Sequence, residues 1–401
     1  MKFAYFGIPH TGGTYTVYHS LRVGLATQGI TVKWLGLGTH AQAAYHDPQW
    51  KHERDHGVVI AGQVDDERKQ AEALIRYLES ADFDGVFVNV LAGRVETNAI
   101  RYLDPAIKRV MIVHSITPGT YAAARAVRDH VHATIGVSPR IRNDLIRSHG
   151  FKEACTHAIP NAIDLKAFNG ARVERQNAKQ LRLLFLGRVV DTDKGVFWLP
   201  QIMAKLSPDV AHLTVVGDGS DMAELQKRCA GIADRITFTA RIASHEVPDM
   251  LACHDVFIFP SRFEGLGLSL VEAMAGGCVP VATRIKDVTT FVVKDGINGF
   301  LFDMGDTLAA ASAITRLADE PALLRSMSAA AQQNAAGRFA LSDMAGAYKA
   351  VLEDVHLHPS PISKPFSMDQ WAFPSGLTSN FRSKLPSGLK NVLRSWREKL
   401  A

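Results

Sequence analysis

Short apolar segments alternate with segments of helical periodicity along most of this chain of 401 residues. The first apolar segment, Lys2–Phe6, leads into a glycine-containing turn and then into a stretch with Val17, Leu21 and Leu25 at helical spacing. A second apolar run follows at residues 31–35. The order strand, loop, helix, strand is typical of a parallel sheet covered by helices. The pattern therefore predicts an α/β protein.

The alternation occurs twice, on either side of a polar stretch at residues 170–180 that lacks an apolar period. Further strands are predicted before that stretch at residues 85–90, 110–113 and 133–137, and after it at 181–186, 212–216, 235–238, 255–259 and 279–282, with a helix at 221–229. We therefore expect two Rossmann-like domains, residues 1–170 and 171–340, facing each other across a cleft.

The composition is that of an ordinary globular protein. Hydrophobic residues make up 47% of the chain and charged residues 21%, which argues against wholesale disorder. No apolar run approaches the length of a membrane-spanning helix, and the first residues do not resemble a signal peptide, so we expect a cytoplasmic protein. The four cysteines form no CxxC pair, and we interpret them as reduced thiols: Cys155, Cys229, Cys253 and Cys278.

The net charge of +5 is concentrated at one end of the chain. Residues 359–401 contain seven basic and two acidic residues, so the 358 residues before them carry equal numbers of both. A broad basic surface for nucleic acid therefore has no support in either domain.

Two loops after predicted strands contain candidate ligand-binding residues. Arg188 and Lys194 follow the strand at 181–186, at the sheet edge where open α/β folds bind ligands. An arginine fork and a lysine point charge suit a departing diphosphate, although two solvated surface cations are the alternative. A second loop, at residues 217–219, begins with Gly217 and allows close approach of a ligand, or is only a turn.

A third loop has the most specific pattern, at residues 260–275. A buried strand ends in Pro-Ser, Glu264 occupies the turn, two glycines expose amide groups, and a helix follows whose amino end favours anions. Glu272 comes eight positions after Glu264 and lies within about 80° of the same helix face if the helix begins early. A surface helix with a capping glutamate is the alternative, but the surrounding residues are mostly apolar, and a glutamate there is costly without a partner.

These motifs, taken together, resemble the retaining nucleotide-sugar glycosyltransferases of family 4, which have the GT-B fold. The resemblance covers about residues 1–355. Residues 341–358 are expected to form a helix that returns to the first domain. The motifs of the resemblance, in chain order, are Pro9-x-x-Gly12-Gly13, Val137-Ser138, Ile159-Pro160-Asn161, Gly187-Arg188 with Lys194, Gly217-Asp218-Gly219, Glu264-x7-Glu272 and Asp295-Gly296-x-Asn298-Gly299.

The resemblance implies roles for individual residues of the second domain. Glu272 would hold the donor ribose, and Glu264 would contact hydroxyls of the transferred sugar. Arg188 and Lys194 would neutralise the diphosphate. The remaining implied contacts are backbone amides that hold sugar and phosphate, and a backbone contact to the base, at Gly265, Leu266, Gly267 and Ile242.

In the first domain the resemblance implies a glycine loop, Gly12 and Gly13, near the diphosphate and the acceptor. His114, after the strand at 110–113, resembles the histidine that reaches the reacting sugar. A structural histidine is the alternative.

Two features depart from the family pattern. A Gly-Gly-x-x-Glu stretch of many relatives is replaced here by residues 283–288, so the loop near the donor is expected to have a different shape. Asp191-Thr192-Asp193 resembles the Asp-x-Asp metal motif of the other major glycosyltransferase fold, but it lies between Arg188 and Lys194. With those cations present, we expect neither a metal nor another cofactor.

The resulting hypothesis is a retaining hexosyltransferase with a nucleotide diphosphate sugar as donor and a glycan or lipid-linked glycan as acceptor, in cell-surface polysaccharide or glycolipid assembly. No protein nucleophile is obvious, and the resemblance implies that the acceptor hydroxyl attacks the face that the diphosphate leaves. A nucleotide-sugar epimerase of the same fold and a non-catalytic nucleotide-sugar-binding protein remain alternatives. A nicotinamide oxidoreductase is less consistent, because no Gly-x-Gly-x-x-Gly follows the first strand.

The family resemblance does not extend to the tail, residues 359–401. Residues 359–388 are rich in proline, serine and glycine and predict an extended arm. Residues 389–400 predict a basic amphipathic helix, which suits an anionic membrane surface and a peripheral location at the inner face of the cell membrane. Packing of this tail on the first domain is the alternative.

Overall fold

The computed structural model describes residues 1–10, 12–90, 93–168, 170 and 180–378. The chain divides into two units. The first consists of Met1–Ala162 and Leu341–Ser383, as far as they are described, and the second of Ile163–Ala340. The first unit is therefore discontinuous in sequence, because its last part follows the second unit.

The described residues of the first unit form one parallel sheet of seven strands. Its strands are β1 Lys2–Phe6, β2 Thr31–Leu37, β3 Gly57–Ile60, β4 Gly85–Asn89, β5 Lys108–Val113, β6 Ala133–Gly136 and β7 Thr156–Ala158, in the order β3-β2-β1-β4-β5-β6-β7. The helices between them are α1 Gly13–Ala26, α2 Gly38–His46, α3 Glu67–Ser80, α4 Arg94–Ala99, α5 Pro118–Val127 and α6 Pro139–His149. The central strands are apolar and buried on both faces, as a sheet covered by helices requires.

The second unit repeats this architecture with six parallel strands over its described residues. Its strands are β8 Leu181–Leu186, β9 Ala211–Val216, β10 Ile236–Thr239, β11 Val256–Phe259, β12 Val279–Thr283 and β13 Phe300–Phe302, in the order β10-β9-β8-β11-β12-β13. Its helices are α7 Asp191–Lys194, α8 Trp198–Met203, α9 Met222–Arg228, α10 Val247–Ala252, α11 Leu268–Ala275, α12 Thr289–Val292, α13 Thr307–Asp319 and α14 Pro321–Arg338.

The prediction of two Rossmann-like α/β domains is confirmed. All strands predicted from the sequence are present, and the predicted helix at 221–229 is α9. Three further strands, β3, β7 and β13, were not predicted, because they are only three or four residues long and are partly exposed.

The last α-helix that the structure describes, α15 Leu341–Leu357, belongs to the first unit and packs on α1. The contact is close at Gly24 of α1, where an added Cβ would lie 3.1 Å from the side chain of Ala345. The ring of Tyr348 lies 5.9 Å from that of Phe87 in β4. This helix therefore completes the hydrophobic core of the first unit.

Residues 359–378, which we call the strap, also pack on the first unit. The Phe366 N–H donates to the carbonyl oxygen of Arg101 at 2.9 Å, and the Trp371 ring lies 4.9 Å from the ring of Tyr102. The guanidinium of Arg94 lies 4.6 Å from the centre of the Phe373 ring. This part of the tail therefore packs on the first domain, as the alternative interpretation expected. The predicted amphipathic helix at 389–400 lies outside the described residues.

No helix within the described ranges has the length and the hydropathy needed to cross a membrane.

Candidate functional site

Four neighbouring strands of the second unit, β10, β9, β8 and β11, are parallel, so the loops that follow them share one edge of the sheet. The predicted donor-binding residues are distributed over these loops and the helix α11. We call three of the loops the cation loop (residues 187–195, after β8), the glycine loop (217–219, after β9) and the carboxylate loop (260–267, after β11). The fold thus brings together segments that are far apart in sequence.

The two predicted cations of the cation loop have different environments. The Arg188 side chain is 63% exposed, and its Nη2 donates to Oδ2 of Asp193 at 3.3 Å. The Lys194 side chain is only 18% exposed, and its Nζ forms a short ion pair with Oε1 of Glu264 in the carboxylate loop. Lys194 and Glu264, predicted to serve one ligand, therefore lie in direct contact.

The glycine loop packs against the cation loop. Gly217 has a φ of +140°, and a Cβ at this position would collide with the carbonyl oxygen of Gly187. The Val189 N–H also donates to the carbonyl oxygen of Asp218 at 2.7 Å. The close approach that the sequence suggested for a ligand is made, in the structure, to the chain's own neighbouring loop. Contact between Gly217 and a ligand stays a prediction.

The carboxylate loop ends where α11 begins, at Leu268, with Gly267 as the N-cap residue. Glu264 therefore precedes the helix, and the angular relation that assumed an earlier helix start does not apply. The Glu264 side chain is 11% exposed. Residues Gly265, Leu266 and Gly267 are buried, and they run directly into the first turn of α11.

Glu272 lies in the second turn of α11, and the residue as a whole is partly buried. Burial raises its pKa to about 7, and no charged neighbour among the described residues contributes to this shift. A carboxyl group in an apolar helix environment without a charged partner is costly in a folded protein. Such a group is a good candidate for a ligand contact.

Ile242 lies in the loop that follows β10 and is partly buried. Its neighbour Arg241 donates from Nη2 to Oδ1 of Asp218 at 2.8 Å, which connects this loop to the glycine loop. The structure therefore places Ile242 at the same sheet edge as the predicted donor site. Its contact with a base stays a prediction.

The predicted site residues of the first unit lie at the carboxyl edge of the first sheet. Gly12 is the N-cap of α1, after β1, and Gly13 is the first residue of that helix. His114 directly follows β5; burial lowers its pKa to about 4, so the imidazole is neutral at pH 7. Its Nε2 atom is buried and has no hydrogen-bond partner among the described residues. These residues belong to a different unit from Glu264 and Glu272.

The Asp-x-Asp sequence of the cation loop is engaged in internal bonds. Asp191 accepts the Phe197 N–H at Oδ1 over 3.0 Å and the Arg262 Nη2 at Oδ2 over 3.0 Å. Asp193 pairs with Arg188. In the described part of the chain, no group of three or more His, Cys, Asp or Glu side chains is arranged to hold a metal ion.

Arg262 is the residue of this site that the sequence reasoning missed. The motif shows it two positions before Glu264. It does not show the partners of Arg262, which are Asp191, 71 residues earlier in the chain, and Trp198.

Residues 180–320 match the profile of the family described as "Glycosyl transferases group 1". Alpha-D-kanosaminyltransferase of Streptomyces kanamyceticus is 28% identical over 177 residues, which are 42% of this chain and 45% of that protein. D-inositol 3-phosphate glycosyltransferase of Streptomyces griseus is 36% identical over 150 residues, 35% of this chain and 32% of that protein. The chain thus spans about half or less of the length of these curated relatives.

The fold is similar to that of HepE from Anabaena, solved in complex with UDP and glucose. The TM-score is 0.73 at 19% sequence identity, and the match covers 88% of this chain and all of the solved one. This likeness confirms the predicted GT-B fold.

Proposed function

We propose, from the premise that residues 180–320 are a glycosyl transferases group 1 domain, that this chain is a retaining glycosyltransferase. It takes a hexose from a nucleotide diphosphate donor and transfers it to a hydroxyl of a glycan or lipid-linked glycan. Support for the donor class comes from the family match and from HepE, whose structure contains UDP.

The observation that carries this proposal is the contact between Lys194 and Glu264 at the carboxyl edge of the second sheet. A cation and a carboxylate at one point suit a ligand with an anionic half and a hydroxyl-rich half. In this proposal the diphosphate replaces Glu264 as a partner of Lys194, and Glu264 accepts hydrogen bonds from the sugar. Glu272, in the following helix, accepts those of the ribose.

The chemical step follows from charge. Cleavage of the anomeric bond leaves positive charge on the sugar and negative charge on the departing diphosphate. Lys194 and Arg188 stabilise the negative charge on the diphosphate, and both cations are in place before the reaction begins. Such preorganised electrostatic stabilisation is usually the largest single contribution to catalysis. The acceptor hydroxyl attacks from the face that the diphosphate leaves and gives its proton to a phosphate oxygen. The role of His114, in the first unit, stays what the family resemblance implies, namely contact with the transferred sugar; its imidazole is neutral at pH 7 and would add no charge.

We propose that this chemistry needs no metal ion, because the cations of the site neutralise the diphosphate. The Asp191 carboxylate is bonded to Phe197 and Arg262, and the Asp193 carboxylate is paired with Arg188. Transfer is therefore expected to continue in EDTA at an unchanged rate, measured as nucleoside diphosphate released. A loss of activity that added Mg²⁺ or Mn²⁺ restores would assign these aspartates to a metal.

The acceptor side of the proposal concerns the tail. The basic residues after the strap suit an anionic lipid surface, where each cation contributes about 1 kcal/mol. A lipid-linked acceptor at the inner face of the cell membrane would give that attraction a purpose, in polysaccharide or glycolipid assembly.

The test is a screen of nucleotide sugars with the purified full-length chain, with and without a mixture of glycan acceptors. One donor is expected to raise the melting temperature and to release its nucleoside diphosphate only when acceptor is present. Lys194→Ala is expected to lower turnover by two to three orders of magnitude, about the effect of removing one electrostatic stabiliser. Lys205→Ala, at an exposed lysine of the same unit, is the matched control.

Other results identify the alternatives. Conversion of the nucleotide sugar into an isomer without acceptor would show an epimerase. Binding without turnover under any condition would show a non-catalytic binding protein. Normal turnover by the Lys194→Ala variant would remove Lys194 from the mechanism.

A further inference from the structure

The cation loop and the carboxylate loop are joined by one arginine, Arg262. Its Nη2 donates to Oδ2 of Asp191 at 3.0 Å, and its Nε donates to the carbonyl oxygen of the same residue at 2.9 Å. The guanidinium carbon lies 3.9 Å from the centre of the Trp198 ring, which is cation–π contact. We call Arg262, Asp191 and Trp198 the guanidinium latch.

The two charged members of the latch are largely shielded from solvent. The Arg262 side chain is 14% exposed and that of Asp191 13%. The backbone contributes as well, since the Arg262 N–H donates to the carbonyl oxygen of Asp193 at 2.7 Å. A shielded ion pair with several hydrogen bonds is worth more than an exposed one, because water competes less for its atoms.

Further bonds fix the latch to the rest of the unit. The Asp191 N–H donates to Oδ2 of Asp221 at 2.7 Å, next to the glycine loop. Gly195, which ends the cation loop, has a φ of +60°, and a Cβ there would collide with the carbonyl oxygen of Pro260 and press on Trp198. The two loops are therefore in backbone contact at the latch, and only glycine fits between them.

The latch lies a short way along the chain from the Lys194–Glu264 ion pair. Asp191 is three residues before Lys194, and Arg262 is two residues before Glu264. Whatever holds Asp191 to Arg262 therefore limits how far Lys194 can move from Glu264. A misplacement of about 1 Å at a reacting centre costs about 100-fold in rate, so such a restraint matters for catalysis.

We infer that Arg262 is a positioning residue of the donor site: through Asp191 and Trp198 it sets the position of Lys194 relative to Glu264. The consequence for catalysis rests on the proposed function. The restraint on the position of Lys194 exists without a ligand. Lysine cannot replace Arg262 in this role, because it lacks the planar fork that donates to two oxygens while stacking on a ring.

The first test needs no ligand and no activity. Brief labelling of the full-length protein with an amine-reactive reagent, read out by mass spectrometry, measures the reactivity of Lys194. Arg262→Lys keeps the charge and is expected to raise the reactivity of Lys194 about tenfold, because the ammonium is no longer held on Glu264. The exposed Lys205 should react at an unchanged rate.

Arg228→Lys is the matched control. The guanidinium of Arg228 also stacks on an aromatic ring, 4.1 Å from the centre of Phe197, and its Nε donates to Glu224 at 2.8 Å. Its ion pair lies within its own helix. Its replacement should leave the reactivity of Lys194 as in the parent protein. Equal reactivity of Lys194 in the parent and the Arg262→Lys variant would overturn the inference.

The second test uses UDP and uridine as probes in titration calorimetry. If Arg262 acts through Lys194, Arg262→Lys should weaken UDP binding about tenfold and leave uridine binding unchanged, because only the diphosphate contacts Lys194. In the double variant with Lys194→Ala, Arg262→Lys should cause no further loss of UDP affinity, as expected for two residues in one chain of contacts.

Three other outcomes are possible. Additive losses of UDP affinity would mean that Arg262 contacts the ligand itself. An equal loss of uridine affinity would mean that the whole site has loosened. Failure of the parent protein to bind UDP would count against UDP as the donor nucleotide, while the labelling result would still decide the restraint.

Discussion

Glu272 shows how a single buried carboxyl group makes the site sensitive to pH. Its pKa is raised to about 7 by burial alone, so it is partly protonated at neutral pH. The ionised carboxylate is the better acceptor for two ribose hydroxyls. A ligand that binds the ionised form therefore binds more tightly as the pH rises through 7.

The first prediction is that affinity for the nucleoside of the preferred donor rises about tenfold between pH 6 and pH 8. The nucleoside is used because it has no phosphate that titrates in this range. Glu272→Gln should bind weakly and with no pH dependence, measured by calorimetry. An unchanged slope in this variant would assign the titration to another group.

The free energy of unfolding should fall as the pH rises, whereas the affinity for the nucleoside should rise. The folded-state pKa of Glu272 lies above its ordinary value, so the fold favours the protonated form. The stabilisation is fully present below pH 4.5 and is lost as the pH rises through about 7. The Glu272→Gln variant should therefore be more stable than the parent at pH 8, and thermal unfolding measures this difference.

At the scale of elements, the site depends on loops that pack against each other. The contact at Gly217 is especially close, because a Cβ there would collide with the carbonyl oxygen of Gly187. Gly217 also has a positive φ, which disfavours other residues. Any side chain at this position must push the cation loop away from the sheet edge.

The second prediction follows from this contact. Gly217→Ala should destabilise the second unit by about 2 kcal/mol or more and weaken UDP binding at least tenfold, since both strain and a steric clash are introduced. Gly231→Ala is the control, because a Cβ at Gly231 meets no atom within 4 Å. Melting temperature and calorimetric affinity are the readouts, and equal behaviour of the two variants would contradict the prediction.

The elements were largely predictable from the sequence because buried parallel strands have nearly continuous apolar runs, as in β5 and β11. The start of α11 was not, because Gly267, in the left-handed region, delays the helix until after Glu264. Individual site residues were predictable from spacing. Their pairings were not, since Lys194 meets Glu264, and Asp191 meets Arg262, only when β8 and β11 lie side by side.

The strap is a further element whose role the sequence left open. Its aromatic residues cover Tyr102, and the Tyr102 Oη donates to the carbonyl oxygen of Gln370 at 3.1 Å. The third prediction is that Trp371→Ala destabilises the first unit by about 1–2 kcal/mol, less than for a fully buried aromatic residue. Leu357→Ala, at a residue 68% exposed, is the control. Hydrogen exchange of α4 and α5 should increase in the first variant only, and equal exchange in both would show that the strap adds no stability.

At the scale of the whole molecule, the net charge is confined to one end of the chain. The strap contains one basic and one acidic residue, Lys364 and Asp369, so the net charge of +5 lies entirely after residue 378. Residues 1–378 are therefore neutral in sum. The proposed attraction to an anionic surface would therefore depend on the last 23 residues.

The fourth prediction is that removal of residues 379–401 abolishes salt-sensitive binding to phosphatidylserine vesicles, because the basic residues provide the attraction. The melting temperature and UDP affinity should be unchanged, since the strap is retained. Sedimentation with vesicles at low and high salt measures the effect. Equal sedimentation of the full and the truncated chain would exclude this segment as a membrane contact.

The discontinuity of the first unit has a consequence for biosynthesis. A ribosome releases residues 1–162 first, but α15, which covers Gly24 and its apolar neighbours on α1, is released only after the whole second unit has been made. During that interval the apolar face of α1 has no α15 to cover it, and exposed faces of this kind are where nascent chains aggregate or recruit chaperones. The described residues of the second unit all lie between the two segments of the first, so the second unit can fold first. The domain that is begun first is therefore the one completed last.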